Sequence, residues 1–204
     1  MATLANSNIE ERYYTGGARQ VWVTIDDGPD PNWTPVVLRA LERFKIKALF
    51  FVVGENAELY PSLIEEAFSQ GHRIGNHSYN HPHLTTLSRQ DVEQQITRTT
   101  EIISKWLTGD RAFRPPYGDH NAMVDEVVSQ LGYRSVFWTV DTNDWDPKNQ
   151  PDRWVDGGVE QISGRDNSVV LIHDICPTTA SNLERFLGKV ADLGKIQFGS
   201  PHLL

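Results

Sequence analysis

An α/β fold, a parallel sheet covered by helices, is what the 204-residue sequence predicts. Short runs rich in β-branched and aromatic residues alternate with stretches of helical rhythm along most of the chain. Those runs are almost continuously apolar, as strands buried on both faces are, instead of alternating apolar with polar. No repeat, low-complexity segment or Pro/Gly/Ser linker interrupts the alternation, so one domain spanning 1–204 is expected, with 1–19 as a loosely ordered N-terminal extension. At this length the architecture is either an open doubly wound sheet or a small, irregular barrel.

The elements follow in order. VWVTID (21–26) is the first strand, and TPVVLRALERF (34–44) the first helix, with Val36, Val37, Leu38 and Leu41 at helical spacing. ALFFVVG (48–54) is the second strand, and PSLIEEAFSQG (61–71) a helix stopped by Gly71. HRIGNH (72–77) reads as the third strand. LSRQDVEQQITRTTEIISKWLTG (87–109) opens with Ser88 and Asp91 at capping-box spacing and closes on Gly109, one long helix. RAFRPP (111–116) is the fourth strand, and NAMVDEVVSQLG (121–132) a helix ending at Gly132. RSVFWTVD (134–141) reads as a single fifth strand, and DRWVDGGVEQI (152–162) as a helix interrupted by two glycines. SVVLIHD (168–174) is the sixth strand, TASNLERFLGKVADLG (179–194) the last helix, and a short strand falls near Gln197 and Phe198.

Composition excludes several functions. With 27 acidic and 19 basic residues the net charge is -8 and no basic run occurs, which argues against nucleic acid and anionic membrane as partners. Cys176 is the only cysteine, so neither an intrachain disulfide nor a thiolate metal cluster can form, and a small buried filler is expected there. Residues 1–20 lack the apolar core of a signal peptide, and no run approaches the ~20 apolar residues of a membrane helix. The chain is therefore read as cytosolic, or as an exported protein from which a signal was trimmed.

In both candidate architectures, function gathers in the loops after the carboxyl ends of strands. Asp26 and Asp27 follow the first strand, His77 and His81 the third, Arg114 and Tyr117 the fourth. Asp141, Asp144 and Trp145 follow the fifth, and His173 and Asp174 the sixth. His77 and His81 are four apart, and Pro82 favours a turn over a helix interior at His81. Two imidazoles and one carboxylate make a three-ligand set for Zn²⁺ or a similar divalent ion, with a position left for water. Successive residues leaving a strand point in different directions, so one aspartate can bind the ion while its neighbour serves as general base. A cation also relieves the repulsion between adjacent carboxylates, and Gly28 lets the backbone turn beside them.

TIDDGP, HSYNH, RPPYG, DTNDW and VLIHD, in this order, resemble the five motifs of the polysaccharide deacetylases of carbohydrate esterase family 4, the NodB-homology domain. Only Ile25 departs noticeably, where the family usually has Phe. The resemblance implies a single-domain distorted (β/α) barrel of about seven units, parallel strands inside and helices outside. It implies removal of acetyl groups from polysaccharides through a metal-activated water, with Asp26 as base and Asp27, His77 and His81 as metal ligands. By the same resemblance Arg114 orients Asp26, His173 is the general acid bonded to Asp141, and Lys47 pairs with Asp141. The Tyr117 backbone N–H would stabilise the oxyanion, and Leu171 and Trp145 would line the acetyl pocket. One divalent ion is expected, Zn²⁺ foremost, with Co, Ni or Fe as alternatives.

Trp33 and Tyr79 sit on loops at the expected mouth, where aromatic faces stack on sugar rings. Trp22, Trp106 and Trp138 read as core. His72, His120 and His202 read as surface or packing residues without carboxylate partners, and His83 falls outside the motif. The expected substrate is a polymer of N-acetylglucosamine (chitin, chitooligosaccharide or peptidoglycan), bound by a monomer in a secreted, periplasmic or cell-envelope setting. The alternatives are an acetylxylan esterase and a catalytically silent carbohydrate-binding domain. Imidazole ligands argue against Mg²⁺-dependent phosphoryl transfer, since that ion prefers oxygen.

Overall fold

The computed structural model describes residues 18–204; the expected extension lies outside the described residues up to 17, and Arg19 already belongs to the first strand. The strands are β1 (Arg19–Asp26), β2 (Leu49–Val52), β3 (Arg73–Asn76), β4 (Arg111–Phe113), β5 (Tyr133–Ser135), β6 (Val140–Asp141), β7 (Asn167–His173) and β8 (Ile196–Phe198). The helices are α1 (Thr34–Arg43), α2 (Gly54–Leu59), α3 (Pro61–Ser69), α4 (Arg89–Ile103), α5 (Ala122–Gln130), α6 (Arg153–Ser163) and α7 (Pro177–Asp192). The strand order is β5-β4-β3-β2-β1-β7-β6, with β8 pairing the start of β1. All pairings are parallel. No ladder joins β5 to β6 among the described residues, so the sheet is a curled half-barrel with an open seam.

Both faces of this sheet are apolar because both are covered. On the convex face Val23, Ile25, Phe50 and Ile172 pack with Val37 and Leu41 of α1, Trp154 of α6, and Leu183 and Phe186 of α7. Their neighbours along each strand point the other way. Trp22, Leu49, Phe51, Ala112, Val136 and Val169 therefore fill the concave face, joined by the C-terminal Leu204. Gly75 lies level with Phe51, and a Cβ there would come within 2.7 Å of the Phe51 ring. A glycine at this position is what lets that ring occupy the barrel interior. Helices α4 and α5 cover Phe113 and Tyr133 in a third cluster.

Helix starts obey local chemistry. Ser88 Oγ accepts from the Asp91 N–H at 3.2 Å and donates to Asp91 Oδ2 at 2.6 Å, closing the expected cap of α4. The helix stops earlier than Gly109, passing into a 3-10 turn over Ser104–Trp106. The short α2 was not expected from the sequence. Helix α6 runs unbroken through its glycines, and a Cβ at Gly158 would come within 2.9 Å of the Phe186 ring.

The expected fifth strand is two strands on opposite edges of the sheet. β5 pairs with β4, whereas β6 pairs with β7. Between them the chain crosses the seam, tied by Val136 N–H to Phe113 O at 2.8 Å and Thr139 N–H to Val169 O at 2.9 Å. The carbonyls of Val136 and Phe137 take hydrogen bonds from Arg114 instead of a strand, at 2.9 and 3.5 Å. An apolar run reads the same in either case, so hydrophobicity alone gives no sign of the crossing.

Among the histidines outside the ligand set, His72 is a packing residue. Its Nδ1 accepts from the Ala48 N–H at 3.0 Å, and burial, with the Lys47 charge adding, drops its pKa to about 4. His202 is exposed. His120 does have a carboxylate partner, Asp125 at 3.0 Å. Trp22 and Trp106 are core, as expected. Lys47 is exposed just before β2, at the amino end of the sheet, and does not reach Asp141.

Candidate metal and active site

The register brings the strand ends level: Asp26 lies beside Phe51 on β2 and beside His173 on β7, while Asp141 lies beside Leu171. Above them opens a cavity of about 380 Å³ lined by Asp26, Asp27, His77, His81, Tyr117, Trp138, Asp141, Trp145, Leu171 and His173. The carboxyl ends of β1, β3, β4, β6 and β7 and the crossing from β5 to β6 thus meet over one spot.

Asp26 and Asp27 diverge because the chain turns between them. Asp27 adopts a left-handed φ of 78°, a conformation aspartate tolerates better than most residues. Asn56 at the start of α2 holds the turn through the Asp27 carbonyl at 2.8 Å. Gly28 is needed for space, since a Cβ there would run into the Asp174 carboxyl. Asp174 itself is buried and accepts from Thr34 Oγ1 at 2.5 Å. Burial pushes its pKa up to about 7 against the pull of that hydroxyl.

Asp27, His77 and His81 each offer one atom to a common centre, the three lying within 4.8 Å of one another. Asp27 Oδ1 stands 3.4 Å from His77 Nε2 and 3.3 Å from His81 Nε2. His77 Nδ1–H donates to the Arg114 carbonyl at 2.6 Å, which leaves its Nε2 as a lone-pair donor. The HSYNH loop is fastened to α4, where Gln95 Oε1 accepts from the N–H groups of Tyr79 and Asn80 at 2.9 and 3.1 Å. Asn76 pins its start, accepting from Ser78 N–H at 2.9 Å and donating to Ile96 O at 2.9 Å. A divalent cation fits this set. Asp27 Oδ1 is buried with no hydrogen-bond donor facing it, which is costly unless a cation supplies the partner. Burial would raise the Asp27 carboxyl, yet His77, with His173 and His81, brings it down to about 2, so it is an anion at any ordinary pH. Burial, with His77 close by, holds the His81 pKa below its usual value.

On one side of this trio stands Asp26, 2% exposed, with Arg114 NH1 donating to its Oδ1 at 2.8 Å and Oδ2 lying 3.6 Å from His77 Nε2. On the other stands His173. Its Nδ1 is bonded to Asp144 Oδ1 at 2.8 Å, directing Nε2 into the cavity. The resemblance had assigned this role to Asp141. Asp144 takes it because the chain turns at Asn143, φ 51°, and carries Asp144 inward, where it is wholly buried. There it also accepts from the His173 N–H at 2.9 Å and Thr179 Oγ1 at 2.6 Å. Burial works against protonation of His173, but the Asp144 bond and charge, aided by Asp27 and Asp26, lift its pKa to about 9. A cation beside Asp27 offsets that residue's share and leaves Asp144 as the main cause.

His173 is an acid below its raised pKa and loses the proton above it. Asp144→Asn removes the anion that raises that pKa, so the alkaline fall of a kcat/KM profile should move to lower pH. An alkaline limb that stays in place would contradict the His173–Asp144 pairing as its source.

The cavity walls depart from expectation in several places. Leu171 and Trp145 line it, Trp145 with 53% of its surface exposed. Tyr117 lines it too, at φ 60°, stacked on His83 with centroids 4.0 Å apart, and His83 meets Asp119 at 3.3 Å. Trp138, read as core, is a wall residue. Trp33 is not: it caps α1 and packs back on the convex core. Tyr79 is not either, because Arg98 lies 3.4 Å over its ring and its hydroxyl donates to Glu58 at 2.9 Å. Cys176 is half-buried, with its thiol pushed up to about 12 by burial, which fits a filler.

Fold and site together define a parallel α/β half-barrel with a candidate His/Asp metal-ligand set at its mouth. The chain belongs to the polysaccharide deacetylase family, whose model matches residues 14–136. It is 37% identical over 182 residues to the peptidoglycan-N-acetylglucosamine deacetylase PgdA of Listeria monocytogenes, covering 86% of this chain and 37% of that protein. This chain thus spans little more than a third of that relative. It is 34% identical to a chitooligosaccharide deacetylase of Azorhizobium caulinodans over 80% of this chain and 77% of that one. The solved family 4 carbohydrate esterase from Streptomyces lividans, in complex with acetate, superposes with a TM-score of 0.79 at 33% identity, covering 90% and 93% of the two chains. Among the described residues no helix is long and apolar enough to cross a membrane.

Proposed function

We propose that this chain is a metal-dependent deacetylase that hydrolyses N-acetyl groups on polymers of N-acetylglucosamine. The observation that carries the reading is one cavity holding an Asp27–His77–His81 ligand set between an acceptor, Asp26, and a charged donor, His173. Zn²⁺ fits the mixed imidazole and carboxylate ligands best. Bound there, a divalent ion supplies a Lewis acid for the acetyl carbonyl and lowers the pKa of water from 15.7 towards ≈ 7.

The chain's own groups do the rest. Asp26 Oδ2 takes the water proton, its other oxygen being held by Arg114. The backbone N–H of Tyr117 would donate to the developing oxyanion, a contribution of roughly 3–4 kcal/mol in comparable sites. His173 Nε2 gives its proton to the leaving nitrogen, without which an amine does not depart. Leu171 and Trp145 enclose the acetyl methyl and keep bulk water from it. Polymers of this kind would place the protein at or beyond the cell envelope.

The test is acetate release from chitin pentamer, muropeptide and acetylxylan, before and after chelation. Release from the first two, abolished by chelation and restored by Zn²⁺, is expected. Activity that survives thorough chelation contradicts the reading.

A further inference from the structure

We infer that Asp141 determines specificity for amide over ester substrates by providing the counter-charge for the nitrogen that leaves. The inference rests on the deacetylase reading above. Asp141 ends β6 level with Leu171, so both side chains fall on the concave face and line the cavity. Its Oδ1 accepts the Asn143 N–H at 2.9 Å, which fixes the carboxylate, and no described residue donates to Oδ2. The two other lining carboxylates are committed: Asp26 to Arg114 at 2.8 Å, and Asp27 to the candidate ligand set it shares with His77 and His81. With Asp144 bonded to His173, Asp141 is the one lining carboxylate, among the described residues, without a basic side chain beside it.

The two reactions differ in charge at the leaving atom. Before the C–N bond of an amide breaks, nitrogen accepts the His173 Nε2 proton and becomes positively charged. The bond then breaks with its electron pair returning to nitrogen, giving amine and acetic acid. The acetic acid proton passes to the amine, leaving ammonium and acetate, while the proton taken by Asp26 restores His173. An ester oxygen is far less basic than an amine nitrogen, so it takes the His173 proton only as its C–O bond breaks and departs as a neutral hydroxyl without first carrying a full positive charge. A carboxylate held in the cavity favours the cationic nitrogen far more than the neutral oxygen, because charge-assisted hydrogen bonds are about twice as strong as neutral ones and fields act strongly where water is scarce.

Zinc-loaded wild type and Asp141→Asn test this on two substrates, N-acetylated chitopentaose and O-acetylated xylopentaose, with the affinity for fully deacetylated chitopentaose measured by calorimetry. In the variant the amide-to-ester ratio of kcat/KM should fall roughly tenfold, as expected from losing a charge-assisted bond. Affinity for the amine pentamer should fall by a similar factor while that for the acetylated pentamer holds. The alkaline limb of the pH profile should stay in place, unlike that of Asp144→Asn. Equal losses on amide and ester, or an undiminished affinity for the amine pentamer, would overturn the inference. If the wild type released no acetate from either substrate, the deacetylase reading itself would fail, and the amine affinity alone would still decide whether Asp141 holds a cationic nitrogen.

Discussion

Asp26→Asn should lower kcat by about 10²–10⁴-fold, the usual worth of a general base, while the protein still binds one divalent ion. The substitution keeps the shape of the side chain, and its amide oxygen can still accept from Arg114 NH1, which stands 2.8 Å from Oδ1. What disappears is the ability of the other oxygen, 3.6 Å from His77 Nε2, to take up a proton. The ligand oxygen on Asp27 is untouched. Steady-state kinetics with zinc content measured on the same sample distinguish the outcomes. A kcat near that of the wild type places the base elsewhere, and loss of the metal makes Asp26 a ligand.

Arg114→Met should cost about 3–5 kcal/mol of stability, because it leaves a buried charge without its partner. Arg114 is fully buried and donates to Thr24 Oγ1 at 2.7 Å, Asp26 at 2.8 Å and the carbonyls of Val136 and Phe137. Its guanidinium lies 4.3 Å over the Phe51 ring, so methionine would keep the apolar packing and lose only the polar bonds. It therefore ties the chain crossing the open seam to the barrel interior and orients the base at once. Most of the cost belongs to the stranded Asp26 charge, which gives a second expectation. Adding Asp26→Asn to Arg114→Met should not destabilise further, and should recover part of the loss. Urea unfolding of the metal-free proteins measures both. Strictly additive losses would mean that the two side chains do not act as a pair.

Much of the site was legible before any coordinates because parallel strands fix where their carboxyl ends lie. Once TIDD, GNH, AFR and LIH are read as strand exits, their polar residues must share one end of the sheet, whatever the loops do. Side-chain pairing is another matter. Asp141 and Asp144 are three residues apart and chemically identical, and which of them meets His173 depends on the backbone turning at Asn143. Asparagine is a residue that tolerates this turn, so a faint signal was present. Nothing local marks Thr179, on a distant helix, as a further donor to Asp144.

The aromatic residues were read less well, for a related reason. A tryptophan or tyrosine on a loop has no preferred direction until long-range partners are known. Tyr79 is held under Arg98 and against Glu58, from two different helices, and Trp33 turns back to the core from the start of α1. Trp138 was masked by an apolar run that reads as one strand and in fact crosses the seam.

Diffraction from zinc-grown crystals, recorded on both sides of the zinc absorption edge, tests the central claim most directly. One anomalous peak is expected, bonded to an Asp27 carboxylate oxygen and to the Nε2 atoms of His77 and His81 at roughly 2.0–2.2 Å, with Asp26 left unligated. A peak elsewhere on the chain, or one that includes Asp26 among its ligands, would contradict that claim.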